Sequence, residues 1–296
     1  MGVFSRIKHF FDRRLAGIDV EKRFELSATI EQGSMSKVYW ARDRQLRRMV
    51  CVKLLEKELT ASFEARSREW HRPTEGAICL ELKHPNIVET YEYGLTNSGQ
   101  CYIVMEMIEG SRLDRLIKTQ SRQLRGNRPR YLVQVAEGLE YLHRQRFVHR
   151  DVCPRNIMIS HQNVAKLIDF GISMPLRSES ERPRNHPPRG DDMAWAGDLH
   201  RPVTPYMDPM LFHEAVTDRR NDLFGLGVTA YETLTGSLPW NSVQRLRARG
   251  RDPREFVKNL DANTATFLMK AIHPELDQRF QSATEMKEAL RELPAC

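Results

Sequence analysis

Four short segments of the chain hold residues whose types could handle a phosphoryl group. Lys53 lies in the apolar run VCVKLL (50–55). The segment HRDVCPRN (149–156) gathers Asp151, Arg155 and Asn156, and IDFG (168–171) presents Asp169. Upstream, IEQGSMSKV (30–38) sets Gly33 and Val38 in a strand–turn–strand pattern. A lysine neutralises phosphate charge, oxygen donors suit a hard cation, and glycine lets backbone N–H groups approach phosphates closely. Phosphoryl transfer asks for charge neutralisation and in-line positioning rather than covalent chemistry. Each segment alone is a weak signal, and Asp151, Asn156 or Asp169 taken singly fits an Asx-type turn cap. Their shared order and register argue against three unrelated caps.

These residues need a scaffold, and the sequence pattern supplies one. From Phe24 to Glu106 apolar, β-branched and aromatic residues alternate, which predicts strands over 37–42, 49–55, 87–93 and 100–106. One helix is expected within this stretch, over 62–80. After Gly110 helical spacing takes over. Leu132, Val135, Leu139 and Leu142 mark one face, and 223–234 is apolar on most sides, as in a buried helix. Two short strands, 157–159 and 164–168, lie between, and the polar, Pro-rich stretch 177–192 has the composition of a mobile loop. The expected fold class is α+β: a small β-rich lobe of 24–107 and a larger helical lobe of 108–292, with a cleft between.

Composition narrows the function classes. Apolar residues make up 40% and charged residues 29% of the 296, which is globular composition and excludes a wholly disordered chain. Lys+Arg 46 against Asp+Glu 39 gives +7. The excess is local, in 112–130 and in Arg245, Arg247, Arg249, Arg251 and Arg254, and reads as solvated faces rather than a nucleic-acid surface. Cysteines 51, 79, 101, 153 and 296 show neither a C-x-x-C pair nor a disulfide-like spacing, so a reducing, cytoplasmic setting is expected. No apolar run reaches the length of a transmembrane helix. Residues 1–23 form a basic amphipathic segment. Its first 17 residues could touch an anionic membrane peripherally, although packing on the following domain is the favoured expectation. Arg6 stands where a myristoylation signal needs Ser or Thr, so Gly2 is not expected to be lipidated.

With the four motifs in one order, each on its expected element, residues 24–292 resemble the eukaryotic-type protein kinase family, and most of all bacterial Ser/Thr kinases. The resemblance implies an ATP- and Mg²⁺-dependent transfer of the γ-phosphate to a protein hydroxyl. Lys53 would hold the α- and β-phosphates. Its carboxylate partner would come from the small-lobe helix, where Glu64, Glu69 and Glu75 compete and family spacing from HPNIV (84–88) selects Glu75. Asp151 would be the catalytic base, Asn156 and Asp169 the metal ligands, and Arg150 the residue that meets a phosphorylated activation segment. His149 would brace the loop, and Phe170 would pack beneath the helix carrying Glu75. For the adenine site it implies Val38 and Cys51 above the ring, Met158 below, Met105 guarding the pocket, and the backbones of Glu106 and Ile108 on the adenine edge. Asp222, in the helix expected from TDRRNDLFGLGVTAYETLTGSLPW (217–240), would anchor the catalytic loop. YMDPM (206–210) stands where the family carries YMAPE.

Three positions depart from the family pattern. Of three phosphate-loop glycines only Gly33 is present, with Glu31 and Ser36 at the others. Met210 replaces the glutamate that pairs with a late arginine, which leaves Arg279 expected without that partner. Cys153 occupies the place of the catalytic-loop lysine, and Arg155 is the candidate to supply the missing charge. Pro154 is Ser/Thr-kinase-like, whereas an arginine at 155 occurs in many Tyr kinases. Ser178, Ser180 and Thr204 are candidate autophosphorylation sites. The alternative reading is a pseudokinase that docks nucleotide or a partner. A small-molecule phosphotransferase is disfavoured by the Asp222 helix and YMDPM.

Overall fold

The computed structural model describes residues 17–32, 36–57, 73–176, 204–209, 218–241 and 250–294. Residues 1–16, Gly33, Glu64, Glu69, Ser178, Ser180 and Met210 lie outside them. Two compact units are distinguished, Met1–Glu109 and Gly110–Cys296.

In the first unit a short helix α1 (Val20–Arg23) leads into β1 (Phe24–Gln32), β2 (Ser36–Asp43), β3 (Arg48–Leu55), β4 (Thr90–Leu95) and β5 (Cys101–Glu106). They form one antiparallel sheet in the order β1-β2-β3-β5-β4. The two-residue period of a strand divides β3 cleanly. Val50 and Val52 join Phe24, Ala41, Tyr102 and Val104 in the core, while Cys51 and Lys53 point to the opposite face. Beside this core the buried Arg23 guanidinium donates to Asp43 at 3.0 Å and to Glu92 at 2.7 Å, and Tyr102 donates to Glu92 as well.

Helix α2 covers Glu75–Glu81. The expected single helix over 62–80 does not run unbroken: Pro73 and Thr74 are not helical, Thr74 is extended and caps the start at Glu75 by accepting from the Ala77 N–H at 3.3 Å, and 62–72 lie outside the described residues. A threonine N-cap behind a proline outweighs the periodicity that ran across both.

The second unit begins with β6 (Gly110–Arg112) and α3 (Leu113–Lys118). Next come α4 (Arg128–Arg144), β7 (Phe147–Val148), β8 (Ile157–Ser160), β9 (Ala165–Leu167) and β10 (Met174–Pro175). Helices α5 (Arg220–Thr235), α6 (Ala262–Ala271) and α7 (Ala283–Arg291) complete it. β6, β8 and β9 make a three-stranded antiparallel sheet, and β10 pairs with β7. Gly110 permits the β6–β8 approach, since a Cβ there would stand 2.0 Å from the Ile159 carbonyl oxygen. Pro129 in the first turn of α4 is tolerated because an N–H there would have no helical acceptor, so proline's lack of one costs nothing, and Leu132, Val135, Leu139 and Leu142 are fully buried. α5 is enclosed on nearly every side and ends at Gly236, whose φ of 73° suits a residue without Cβ. α7 starts with Ser282 accepting from the Glu285 N–H at 3.1 Å. It is tied to α4 through Glu140, which accepts from Lys287 at 2.9 Å and Thr284 at 2.6 Å.

Candidate active site

In the first unit Lys53 Nζ donates to Glu75 Oε1 at 2.6 Å, and both side chains are buried. Strand β3 supplies the lysine and the first turn of α2 the carboxylate, a place where the helix dipole also favours negative charge. Strand register builds the surface around the lysine. Val38 stands opposite Lys53, and on β5 Ile103 faces Lys53 while Met105 faces Cys51. Val38, Cys51, Lys53 and Met105 therefore share one face of the sheet. Burial pushes the Cys51 thiol up to about 11, so it behaves as a small apolar group there. At the end of β5 the Glu106 N–H donates to the Glu89 carbonyl at 2.9 Å, and Ile108 follows half-buried.

In the second unit the loop between β7 and β8 carries Asp151, and a 3₁₀ turn over Pro154–Asn156 folds the chain back onto it. Asn156 Nδ2 donates to the Asp151 carbonyl and to its Oδ2, both at 2.9 Å. Arg155 Nη2 donates to Oδ1 at 3.2 Å and Oδ2 at 3.1 Å. Burial works against the charge of Arg155, but the Asp151 carboxylate holds the guanidinium above its ordinary value. Cys153 is buried with its Sγ 3.9 Å from Asp151 Oδ1, and burial, with that carboxylate, pushes the thiol up to about 12. It stays protonated and offers no charge.

Asp169 is placed next to this loop by the Ile168 N–H, which donates to the Asn156 carbonyl at 3.0 Å. The Gly171 N–H donates to Asp169 Oδ1 at 3.2 Å. His149 braces the same turn: Nε2 donates to the Ile168 carbonyl at 3.2 Å, Nδ1 accepts from the Asp151 N–H at 3.3 Å, and the ring lies 4.8 Å from that of the buried Phe170. Arg150 and Asp169 have φ of 68° and 62°, a left-handed backbone that L residues adopt only where surroundings impose it. Asp222, in the first turn of α5, accepts from the N–H groups of His149 at 2.9 Å and Arg150 at 2.7 Å. Burial opposes its charge, yet the hydrogen bonds from the His143 side chain and the His149 N–H hold it below the usual carboxylate range. Met158 is half-buried on β8.

Arg279, expected to be without the family's glutamate, has a different carboxylate as its partner. Asp208, two residues before Met210, accepts from Arg279 Nη1 at 2.6 Å and Nη2 at 3.3 Å, with both side chains fully buried. Asn221 adds a donor to Asp208 at 2.9 Å, and Arg279 also donates to the carbonyls of His273 and Pro274. Sequence reading missed Asp208 because it looked only at the family's own position, although an acid stands within the same five residues. Tyr206 in this segment donates to Glu232 at 2.5 Å. Gly225 lets the segment lie close, since a Cβ would meet the Val152 carbonyl at 2.6 Å and the Tyr206 carbonyl at 3.4 Å. Sequence reading also passed over His143.

Among the described residues no group of three or more His, Cys, Asp and Glu side chains could hold a metal ion alone. The donors on hand, an asparagine amide and the Asp169 carboxylate, fit Mg²⁺, which takes one or two carboxylates and completes its shell with phosphate oxygens and water. Among the described residues, no helix is long and apolar enough to cross a membrane.

The protein kinase domain family model matches residues 24–291. A probable serine/threonine-protein kinase of Clostridium perfringens is 31% identical over 89% of this chain and 37% of its own length. One of Streptomyces coelicolor is 31% identical over 93% and 40%. Serine/threonine-protein kinase PknB of Mycobacterium tuberculosis is 30% identical over 90% and 42%. The chain thus spans about two fifths of the length of these curated relatives. A match of this extent, on residues that include Lys53, Glu75, Asp151, Asn156 and Asp169, leads to one conclusion: the chain belongs to the protein kinase family.

Proposed function

We propose that this chain transfers the γ-phosphoryl group of ATP to Ser or Thr hydroxyls of a protein substrate, in the cytoplasm and with Mg²⁺. The observation that carries the reading is the buried Lys53–Glu75 contact at 2.6 Å, because kinases need this pair formed for activity. Glu75 orients Lys53, and the ammonium neutralises the α- and β-phosphates. Asp151 orients the incoming hydroxyl and accepts its proton as the oxygen bonds to γ-phosphorus and the bond to the β–γ bridging oxygen breaks, releasing ADP. Arg155, beside Asp151, neutralises charge on the transferred group. Asn156 and Asp169 would hold Mg²⁺, which when bound neutralises phosphate charge. Val38, Cys51 and Met158 would flank the adenine, Gly33 would approach the phosphates, and the backbones of Glu106 and Ile108 would meet the adenine edge. Ser/Thr preference is supported by the names of the relatives and by Pro154. Thr204, with Ser178 and Ser180, is a candidate site of autophosphorylation.

The test is incubation of the purified chain with Mg²⁺, labelled ATP and peptide libraries containing Ser, Thr or Tyr. Phosphoserine or phosphothreonine made by the wild type and absent with Asp169→Asn supports the reading. No label, or equal label from both proteins, sinks it.

A further inference from the structure

The segment WARDRQLRRM (40–49) spans the end of β2, a turn and the start of β3, and has no part in the steps above. Four large apolar side chains stand out as exposed among the described residues. Three of them, Trp40 at 47%, Leu46 at 44% and Met49 at 43%, lie in this one stretch. Arg42, Arg44, Arg47 and Arg48 are exposed between them. The segment's single acid, Asp43, is withdrawn: it is fully buried and accepts from the Arg23 guanidinium at 3.0 Å. Its Oδ1 also accepts from the N–H groups of Gln45 at 2.8 Å and Leu46 at 3.1 Å, so the one negative charge shapes the turn from inside. The Arg44 N–H donates to the Arg23 carbonyl at 3.0 Å and Arg48 lies over the Tyr91 ring at 3.5 Å, which hold the turn to its neighbours. On adjoining elements Glu21 and Glu25 are exposed, and Lys22 is balanced by Asp19 at 3.3 Å. Four exposed arginines therefore leave this surface with surplus positive charge.

We propose that the β2–β3 turn is a peripheral membrane contact, seated on an anionic lipid surface with Leu46 at headgroup depth and the arginines on lipid phosphates. The sign of the charge selects an anionic partner, and the pattern of side chains selects a bilayer among anionic partners. Protein partners are gripped by clustered anchors that fill pockets. Here single apolar side chains are interspersed with arginines along an exposed hairpin turn. That pattern suits the water–lipid interface, where Trp and Leu enter the headgroup layer and Arg keeps its charge in the wet part of it. The sequence supplies a second signal of the same chemistry. Residues 1–17 place Phe4, Ile7, Phe10 and Phe11 beside Arg6, Lys8, Arg13 and Arg14, and stable peripheral anchoring takes two signals rather than one. Membrane contact of this kind is independent of phosphotransfer.

The experiment mixes the full chain with vesicles of phosphatidylcholine, alone or with phosphatidylserine as about one third of the lipid. Co-sedimentation should occur with the anionic vesicles only and weaken as salt is raised. Tryptophan emission should shift to the blue on binding, and Trp40→Phe should remove most of that shift. Arg44→Gln combined with Arg47→Gln should weaken binding about twenty-five-fold, since each arginine near such a surface is worth about fivefold. Leu46→Ser should weaken it about five- to tenfold, the scale of burying the remaining half of one leucine. Arg125→Gln combined with Arg130→Gln removes the same charge from exposed positions of the second unit and should change binding by less than about twofold. Equal binding to both kinds of vesicle, turn variants that bind as the wild type does, or a second-unit pair as damaging as the turn pair overturns the proposal. Binding to soluble poly-glutamate as tight as to the vesicles would assign the turn to an acidic protein. Self-association abolished by Leu46→Ser would assign it to a second copy of this chain. Either result also overturns the membrane contact.

Discussion

Removing the Asp208 carboxylate should expose how much the second unit relies on one relocated ion pair. In Asp208→Ala, Arg279 keeps its buried position but loses its charged partner, along with contacts of 2.6 and 3.3 Å. Breaking a buried pair from one side costs about 3–5 kcal/mol, since the remaining charge is left uncompensated. Here the lower end applies, because Arg279 still donates to the His273 and Pro274 carbonyls and lies over the Phe224 ring at 4.6 Å. About 3 kcal/mol corresponds to a fall in melting midpoint of roughly 6–12 °C for a domain of this size. Asp208→Ala combined with Arg279→Met removes both charges and should cost less than the single change, the non-additivity expected of a buried pair. Asp208→Ala with Met210→Glu returns a carboxylate to the family's usual position and should recover part of the loss. Met210→Glu alone should lower the midpoint, because Arg279 is already neutralised. Thermal and urea melts of these variants measure all four values. An Asp208→Ala midpoint within about 3 °C of wild type (roughly 1 kcal/mol), or an Asp208→Ala/Arg279→Met variant that loses as much as Asp208→Ala alone, would refute the reasoning.

Lys53→Met should abolish measurable phosphotransfer, the loss of one charge stabiliser being worth at least about a hundredfold. It should also lower the melting midpoint, since Glu75 is left buried without its cation; full activity in a kinase assay would contradict the first expectation and an unchanged midpoint the second. Arg155→Ala should lower kcat by about ten- to a thousandfold with little change in ATP binding, and adding Cys153→Lys should restore much of the rate. A wild-type rate in Arg155→Ala would end that assignment. Glu232→Gln tests a pH dependence: burial raises the Glu232 carboxyl above its ordinary value, against the hydrogen bond from Tyr206. The folded chain then binds this proton more tightly than the unfolded chain, so its stabilising contribution is complete below about pH 4.3 and is lost as pH rises through the raised value. Melting midpoints of wild type and Glu232→Gln should agree near pH 4, and the wild type should fall behind toward pH 8; parallel curves would contradict this.

Fold and site differ in how far they could be read from residues. The sheet of the first unit was legible because alternation along β3 separates Val50 and Val52 from Cys51 and Lys53 without any tertiary knowledge. The buried α5 was legible too, because an apolar helix on all sides has nowhere to be but inside. The start of α2 was not: periodicity ran through Pro73 and Thr74, and local capping chemistry decided the boundary. Glu75 was selected by spacing to HPNIV, while its contact with Lys53 is a distance that no spacing contains. The anchoring of the loop at Asp222 was implied by resemblance, but the contribution of His143 was not. It stands six residues before His149, and an imidazole near the end of an amphipathic helix reads as an ordinary polar terminus.

The missed partner of Arg279 and the vacant lysine position share a physical explanation. What a buried arginine requires is a carboxylate within hydrogen-bond distance, not a particular residue number. Asp208 has a shorter side chain than glutamate and enters from a backbone position two residues earlier. The Asp208 Oδ2 that takes the shorter Arg279 contact also accepts from Asn221, so the pair is supported from α5. The same holds around Asp151. Cys153 is neutral and enclosed, yet a guanidinium reaches both carboxylate oxygens from position 155, because the 3₁₀ turn at Pro154–Asn156 brings that residue back over the base. An alignment scores each of these positions as a loss. Charge placed in space by a neighbouring residue registers only when the backbone path is known, and at Asp151 that path is the 3₁₀ turn containing Pro154.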